Sequence, residues 1–372
     1  MDPKNETARR LIAVCVGTRP EAIKLAPLIL ELRRLRQQVL VISTGQHREM
    51  LDQTLEVFGI APNIDLRLMR AEQSLAGLTG LALPALDRAL SGARPTAVIV
   101  QGDTTTAMCG ALAAFYQGIP VGHVEAGMRT GVPTSPFPEE VNRRLIAQLA
   151  SWHFCATATG RENLLREGVR EECVHVTGNT VIDAALSIRR TGLRPPQRRE
   201  GRREILVTLH RRESQGAVMR QLSDTLAQLA TRPDVHIFFP VHRSPAVRES
   251  IIPALSGQAN VTLAEPIGYS EMVAHLASAD LVVTDSGGLQ EEAPAFNVPV
   301  LVLRDTTERP EGVKAGCSVL CGTDPERVLT TANHLLDDSA AYARMAEAPN
   351  PYGDGRAAAR IAAILMRALT ES

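Results

Sequence analysis

Residues 11–24 read LIAVCVGTRPEAIK, and this stretch decides the fold class. Leu11–Val16 is a near-continuous apolar run, which is typical of a buried parallel strand. Gly17 permits a tight turn, and Pro20 suits the first turn of a helix. The apolar residues that follow share one helical face, namely Leu25, Leu28, Ile29 and Leu32. The stretch therefore predicts a strand, a glycine turn and an amphipathic helix.

The same alternation of apolar runs and amphipathic segments continues along the chain and predicts an α/β fold with parallel sheets. The polar, proline-containing stretch 191–203 predicts a linker between a domain at 1–190 and a domain at 204–354. The Ala- and Arg-rich end, 355–372, predicts a helix. The clearest further runs are Val39–Ser43, Ala97–Val100, Glu204–Thr208, Val235–Pro240, Asp280–Thr284 and Val298–Leu303.

Composition excludes several classes of protein. The chain has 372 residues, of which 44% are hydrophobic, enough for two cores. With 40 basic and 41 acidic residues, it lacks the charge of a nucleic-acid-binding protein. No apolar stretch is long enough for a signal peptide or a membrane span, so we predict a cytoplasmic protein without a membrane partner. The spacing of Cys317 and Cys321, with no second pair nearby, disfavours a zinc site.

Ligands of open α/β sheets bind beyond the carboxyl ends of the strands. After the first strand, Arg19 and Lys24 flank a helix start and predict an anion site, although two surface cations would fit equally well. After Asp280–Thr284, the motif DSGGLQEE begins at residue 285. Its Ser-Gly-Gly segment could cradle a diphosphate, and Glu292 could accept hydrogen bonds from a ribose. Neither Walker A nor G-x-G-x-x-G is present, which disfavours an NTPase or a dinucleotide enzyme.

Three carboxylates are candidates for acid/base chemistry. Asp103 follows the run Ala97–Val100, although Asp is also a favoured N-cap residue. Glu125 and Glu139 lie downstream in HVEAGMRT and PFPEEVNRR, and clustered carboxylates raise one another's pKa values, which suits proton exchange. The second segment also fits two ordinary surface ion pairs, Glu139 with Arg143 and Glu140 with Arg144, and for the latter we favour that interpretation.

Further polar groups follow three other predicted strands. His210 and Arg211 come after Glu204–Thr208 and predict a phosphate-facing group, although a lone histidine is more often structural. His242 repeats this pattern after Val235–Pro240. Arg309 lies in the charged loop after Val298–Leu303 and is a candidate contact to a phosphate or a base.

Taken together, these segments resemble the non-hydrolysing UDP-N-acetylglucosamine 2-epimerase family. The resemblance implies two Rossmann-like domains in a GT-B-type arrangement, with the active site in the interdomain cleft. It also implies a last helix that returns to the N-terminal domain, a homodimer, and no metal or nicotinamide cofactor. The matching segments are GTRPEAIKLAPL, TGQHREMLDQ, QGDTTT, HVEAGMRT, PFPEEVNR, VTGNTVIDA, LHRRES, DSGGLQEEAP and RDTTERPE.

The resemblance also implies a mechanism on a UDP-sugar substrate. UDP leaves C1 while a base removes the C2 proton, and UDP then re-adds with protonation of the opposite face. The implied acid/base groups are Asp103, Glu125 and Glu139, and which of them serves which face stays open. His210 and Arg143 would stabilise the diphosphate or assist proton transfer. The implied UDP-binding residues are Arg19, Lys24, His210, Met272, Ser286, Gly287, Gly288, Glu292 and Arg309.

The sequence departs from the family at two sites. Met272 and Ile267 stand near the expected uracil, where many members have an aromatic residue and a glutamine. At the site where many members bind a second UDP-N-acetylglucosamine as activator, Glu49 and Glu72 replace a glutamine and an arginine. Because two acids should repel a diphosphate, we predict weak or no activation by substrate. The candidate residues of that allosteric site are Gln46, His47, Gln73, Arg211 and His242.

Four other functions remain open from the sequence. They are an epimerase for a differently substituted UDP-N-acetylhexosamine, a GT-B glycosyltransferase, a hydrolysing 2-epimerase and a non-catalytic sugar-nucleotide-binding regulator. A glycosyltransferase or a regulator would not need three acidic groups around C2. A hydrolysing enzyme would release a free sugar.

Overall fold

The computed structural model describes residues 9–45, 48–70, 73–192, 195–211 and 214–371, with the side chains of 48–50 outside the description. The chain forms two compact units. Met1–Ala184 and Gly353–Ser372 make up the first, and Ala185–Tyr352 makes up the second. Among the described helices, none is long and apolar enough to cross a membrane.

The first unit alternates strands and helices. Its described strands form one parallel sheet in the order β3-β2-β1-β4-β5-β6-β7. The elements are β1 (Leu11–Val16), α1 (Arg19–Arg34), β2 (Gln38–Ser43), α2 (Arg48–Val57), β3 (Ile64–Asp65), α3 (Leu75–Ala93), β4 (Ala97–Gln101), α4 (Thr105–Tyr116), β5 (Val121–Ala126), α5 (Glu139–Leu149), β6 (Trp152–Cys155), α6 (Ala158–Arg166), a 3₁₀ turn (Glu171–Cys173), β7 (Val174–Val176) and α7 (Thr180–Arg190).

The second unit repeats this pattern. Its described strands form a parallel sheet in the order β10-β9-β8-β11-β12-β13. The elements are β8 (Arg203–Thr208), α8 (Ala217–Leu229), β9 (Val235–Pro240), α9 (Pro245–Leu255), β10 (Val261–Ala264), α10 (Tyr269–Ser278), β11 (Leu281–Thr284), α11 (Gly287–Glu292), a 3₁₀ turn (Ala293–Phe296), β12 (Val300–Val302), α12 (Pro310–Ala315), β13 (Ser318–Leu320), α13 (Pro325–Asp337) and α14 (Ser339–Ala346).

Strand β1 shows why the apolar runs are continuous. Ile12 and Val14 pack into one core cluster with the apolar face of α1, while Ala13 and Cys15 pack into the cluster on the opposite face of the sheet. Both faces are covered, so no position of the strand favours a polar side chain. The prediction of two Rossmann-like α/β domains is confirmed.

The last helix, α15 (Ala357–Glu371), belongs to the first unit. Its Ile361 and Leu365 lie in the same core cluster as the apolar face of α1. Asp183 accepts hydrogen bonds from the backbone N–H groups of Ala357 at 3.1 Å and Ala358 at 2.9 Å, so it caps the start of this helix.

The two units divide between Ala184 and Ala185, within α7, whereas the predicted linker is 191–203. Part of that stretch is attached to the second unit. Arg199 donates from its backbone N–H to Glu204 Oε1 at 3.1 Å and from Nη1 to the Ala259 carbonyl at 3.0 Å.

Each sheet reverses its strand order beside its first strand, between β1 and β4 and between β8 and β11. Side chains just beyond the carboxyl ends of these strands are therefore placed to meet a ligand.

Candidate active site

The turn after β1 is held rigidly. A Cβ atom on Gly17 would lie 2.4 Å from the side-chain oxygens of both Thr44 and Thr106, so no larger residue fits there. Glu21, which is buried, accepts hydrogen bonds from Gly17 N at 2.9 Å and from Thr104 Oγ1 at 2.7 Å. Burial raises the pKa of Glu21, and these hydrogen bonds act against the rise. Glu21 thereby ties the turn after β1 to the turn that carries Asp103.

Glu125 lies at an irregularity of β5. Its φ is 64°, in the left-handed region, and the pairing register with β6 shifts at this residue. A positive φ in a residue other than glycine has an energetic cost and persists where the surroundings enforce it. Lys24 Nζ and Gln101 Nε2 contact one carboxylate oxygen each, and Asn179 Nδ2 donates to Oε1 at 3.0 Å. Only 8% of the Glu125 side chain is exposed, so these donors fix its carboxylate.

Asp103 follows β4 and pairs with α5. Its Oδ2 accepts from Arg143 Nε at 2.7 Å, and its carbonyl accepts from Asn142 Nδ2 at 2.8 Å. Burial raises the pKa of Asp103 above its usual value. The charge of Arg143 opposes this rise, and the charge of Glu125 adds to it. Among the three predicted acid/base carboxylates, Asp103 is the one for which a raised pKa is found, so its surroundings favour binding a proton.

Glu139 is the first residue of α5. Its Oε2 atom is buried and has no hydrogen-bond partner among the described residues. A buried carboxylate oxygen without a donor is costly unless it meets a ligand or a proton. This observation singles out Glu139 as a group that is available for chemistry.

Glu140 and Arg144 do pair, with Arg144 Nη2 3.2 Å from Glu140 Oε1, but the prediction of an ordinary surface pair is wrong, because the Glu140 side chain is fully buried. Glu140 accepts from the backbone N–H groups of Thr130 at 3.1 Å and Gly131 at 3.3 Å, and from Arg143 Nη1 at 3.1 Å. Burial alone would raise the pKa of Glu140, but the hydrogen bonds and the arginines hold it below its usual value. The charged form of Glu140 is thus favoured, and Glu140 orients Arg143, the partner of Asp103.

In the second unit, the residues after β8 and β11 meet. Asp285, fully buried, accepts at Oδ2 from the backbone N–H groups of His210 and Arg211, both at 2.8 Å. His210 Nδ1 lies 3.0 Å from Asp285 Oδ1. The ring of His242 is stacked with that of His210, with 6.0 Å between the centroids. His210 therefore has a defined orientation at the carboxyl edge of the sheet.

Arg309 covers the Ser-Gly-Gly turn. A Cβ atom on Gly287 would lie 2.5 Å from Arg309 Nη1 and 2.8 Å from its Cζ. Glu291, which is 1% exposed, fixes the guanidinium through Arg309 Nε at 2.6 Å. Ser286 is the N-cap of α11, with Gly287 and Gly288 as its first two residues. The turn and a restrained cation thus form one surface suited to a phosphate group.

Glu292 and Met272 lie in the same unit. Glu292 is buried, and Tyr269 donates its hydroxyl to Glu292 Oε1 at 3.3 Å. Met272 lies on α10 with Tyr269 and is partly buried against the core cluster around Leu289. Ile267, half-buried, precedes this helix.

The structure describes only part of the predicted allosteric set. Gln46, His47 and Glu72 lie outside the described residues, as does the side chain of Glu49. Gln73 accepts from the backbone N–H of Arg70 at 3.3 Å, and its Nε2 has no partner among the described residues. Arg211 and His242 lie in the second unit. Arg211 donates from Nε to the Asp285 carbonyl at 3.1 Å, and burial lowers the pKa of His242.

Sequence reasoning assigned no role to the residues that orient the candidates. Asp285 and Gln101 stand at the ends of β11 and β4, and the strand-end signal that found Asp103 applies to both. Glu291 and Asn179 carry no local signal, because their partners are remote in sequence. The remaining candidate, Arg19, is the first residue of α1 and is half-buried.

Comparisons with known proteins find similar sequences and similar structures. A family model described as UDP-N-acetylglucosamine 2-epimerase matches residues 31–366. The UDP-N-acetylglucosamine 2-epimerase of Escherichia coli K12 is 48% identical over 360 residues, covering 93% of this chain and 95% of that protein. The UDP-GlcNAc 2-epimerase from Neisseria meningitidis bound to UDP-GlcNAc is 41% identical, with a TM-score of 0.88 and coverage of 96% and 100%. The S. aureus MnaA–UDP complex is 41% identical, with a TM-score of 0.88 and 97% of both chains covered.

Proposed function

Since this chain belongs to the UDP-N-acetylglucosamine 2-epimerase family, we propose that it interconverts UDP-N-acetylglucosamine and UDP-N-acetylmannosamine without hydrolysing the nucleotide. The sequence prediction of an epimerase in this family is confirmed, and enzymes of this family are carbohydrate isomerases. The non-hydrolysing course, the residue roles, the cytoplasmic location and a homodimeric state are parts of the proposal.

The first half-reaction is an elimination. The C1–O bond to UDP breaks, and the C2 proton passes to a carboxylate. The electron pair of the broken C2–H bond forms the C1–C2 double bond of 2-acetamidoglucal. The surroundings of Asp103 favour protonation, so it can hold this proton after the elimination. Glu139, with a buried oxygen that has no partner among the described residues, is a second proton carrier.

Glu125 has a different role in this proposal. Its carboxylate already receives donors from Lys24, Gln101 and Asn179, which stabilise the charged form. An ionised Glu125 near Asp103 raises the pKa of that neighbour. We therefore propose that Glu125 acts within the acid/base set by raising the pKa of Asp103 and by positioning its neighbours.

The departing diphosphate is stabilised by hydrogen-bond donors held in advance. His210 is oriented by Asp285, and Arg309 is oriented by Glu291 over the Ser-Gly-Gly turn. Preorganised donors need no reorganisation when charge develops on the leaving group. Within the second unit, Ser286 and Gly288 complete the proposed diphosphate contacts, Glu292 is the proposed ribose contact, and Met272 is the proposed contact with uracil.

The second half-reaction reverses the first. UDP adds to C1 of the glycal, and C2 takes a proton on the opposite face, so the product differs only at C2. No water is consumed, and UDP is regenerated within the product. This balance distinguishes the reaction from hydrolysis, which would release UDP and free N-acetylmannosamine.

The pairing of Asp103 with Arg143, beside Glu125 with its donors, is the observation that carries the proposal. It places tuned carboxylates at the ends of adjacent strands, which binding alone would not need. The test is to incubate the purified protein with UDP-N-acetylglucosamine and to separate the nucleotides and sugars by anion-exchange chromatography. We expect UDP-N-acetylmannosamine with no free UDP. Accumulation of UDP with free N-acetylmannosamine would overturn the non-hydrolysing course.

A further inference from the structure

Asp285 contacts His210 through more atoms than are needed to anchor the turn after β8. Oδ2 of Asp285 accepts hydrogen bonds from the backbone N–H groups of His210 and Arg211, each at 2.8 Å. Those two bonds suffice to hold the turn after β8. Oδ1 is buried and has no hydrogen-bond partner among the described residues, and the atom that faces it as an ion pair is His210 Nδ1, at 3.0 Å. The second carboxylate oxygen therefore faces the imidazole.

This geometry selects one tautomer of the ring. A carboxylate accepts hydrogen bonds, so the nitrogen facing it carries the hydrogen. With a hydrogen fixed on Nδ1, a neutral His210 has its lone pair on Nε2. Nε2 can then donate a hydrogen bond only in the imidazolium form, and the negative charge of Asp285 balances that form.

We propose that Asp285 is a positioning residue for the epimerase reaction, which fixes His210 with Nδ1–H toward the carboxylate and presents Nε2 to the diphosphate of the substrate. This inference rests on the proposed function for its use of the diphosphate. The inferred orientation of the His210 ring does not depend on the proposed function, because it follows from the contacts with Asp285 alone.

The other charges around the pair support an ionised Asp285. Burial alone would raise the pKa of Asp285, but His210 and the two backbone donors outweigh it and hold the pKa below its usual value. Arg211 adds a cation, with Nε 3.1 Å from the Asp285 carbonyl. The His242 ring is 6.0 Å from that of His210, and its pKa is lowered, so it adds little positive charge beside His210 at neutral pH.

Asp285→Asn tests the role without changing the size of the side chain. Its amide oxygen can still accept the two backbone N–H groups, and its NH₂ group then faces Nδ1. That arrangement favours the hydrogen on Nε2, so the neutral ring can still donate to the diphosphate, but the imidazolium form loses the carboxylate that balances its charge. We expect kcat to fall by about 10-fold or more, as for other residues that orient a reacting group, with a smaller change in KM.

Asp280→Asn is the matched control. Asp280 precedes β11, at the other end of the strand from Asp285, and it is also largely buried. It accepts from the backbone N–H of Glu204 at 2.8 Å, just as Asp285 accepts from the turn after β8. We expect Asp280→Asn to lower stability and to leave kcat at the wild-type value.

The direct readout is the ¹⁵N NMR spectrum of the imidazole nitrogens without substrate, with His210 assigned by its loss in His210→Gln. The wild type should carry its hydrogen on Nδ1 when neutral, and Asp285→Asn on Nε2. A neutral wild-type ring protonated at Nε2 would overturn the proposal, even if Asp285→Asn does not fold. An unchanged kcat in folded Asp285→Asn would overturn it as well. A wild type with the expected tautomer but no turnover would contradict the proposed function instead.

Discussion

Asp103 and Glu125 lie at the ends of the neighbouring strands β4 and β5, and their carboxylates have different surroundings. Asp103 is drawn toward the protonated form by burial and by the charge of Glu125, with Arg143 acting against this. Glu125 is surrounded by donors from Lys24, Gln101 and Asn179. Carboxylates in different environments are suited to different tasks in proton transfer. The division of labour is therefore set by neighbours that lie far away in sequence.

Asp103→Asn tests this division. The carboxamide can still accept from Arg143 but cannot take a proton from C2. We expect kcat to fall by about 10²–10⁴-fold, the usual contribution of a general base, with little change in KM. The exposed Asp354, which pairs with Arg360 at 2.7 Å, supplies the control Asp354→Asn. Equal kcat values for the two variants would refute the role of Asp103.

Buried histidines make stability depend on pH. Burial lowers the pKa of His123 to about 3 and that of His153 to about 4. Between these values and the ordinary value of about 6.5, the unfolded chain binds protons that the folded chain does not. Stability is therefore lost as pH falls through this window, by up to ~1.36 kcal/mol per pH unit for each histidine.

His153→Phe should reduce that slope, because it removes one of the two groups and keeps an aromatic ring. Urea unfolding from about pH 7 to about pH 4.5 measures the free energy of unfolding for both proteins. His153 is 1% exposed, so the absolute stabilities are free to differ, and only the slopes are compared. If the free energy of unfolding changed with pH by the same slope in the wild type and in His153→Phe, the assignment of this pH dependence to His153 would be contradicted.

Strand-turn-helix units explain which elements could be predicted from the sequence. The bounds of β1 and β9 agree with the predicted runs, because most of the side chains in both strands are apolar and buried. β5 was absent from the predicted runs, because His123 and Glu125 interrupt its apolar pattern. Short edge strands such as β3 and β13 carry too few residues for a pattern. Polar residues inside a buried strand therefore hide that strand from sequence analysis.

The turn after β11 offers a test of the diphosphate site. In Gly287→Ala, the new methyl group would lie 2.5 Å from Arg309 Nη1 and would displace a guanidinium fixed by Glu291. Because overpacking of this kind costs about 1–3 kcal/mol, we expect the affinity for UDP to fall by about 10-fold or more, measured by calorimetry. Gly268→Ala is the control, since its Cβ meets no atom within 4 Å. Equal affinities in the two variants would argue against the site.

At the scale of the whole molecule, the chain returns to the first unit for its last helix. Leu365 on α15 is completely buried in the core that α1 shares. Leu365→Ala should lower the free energy of unfolding by about 2–5 kcal/mol, the cost of a cavity in a core. The exposed Arg367→Ala should change it by less than about 0.5 kcal/mol. Thermal and urea unfolding compare the two, and similar losses would mean that α15 is not part of this core.

The pairings between the candidate residues could not be predicted from the sequence, because the partners lie far apart along the chain. Asp103 and Arg143 are 40 residues apart, and His210 and Asp285 are 75 apart. Residue type and strand ends identified the candidate groups, but only the strand order brings them together. Their catalytic roles stay predictions.

The central claim is that the C2 proton is exchanged during elimination and re-addition of UDP. The most direct measurement is proton NMR of UDP-N-acetylglucosamine with the enzyme in deuterated water, with no added cofactor. We predict that UDP-N-acetylmannosamine appears with deuterium at C2, and that the recovered substrate also gains deuterium at C2. Epimerised product that keeps its original C2 hydrogen would contradict the account.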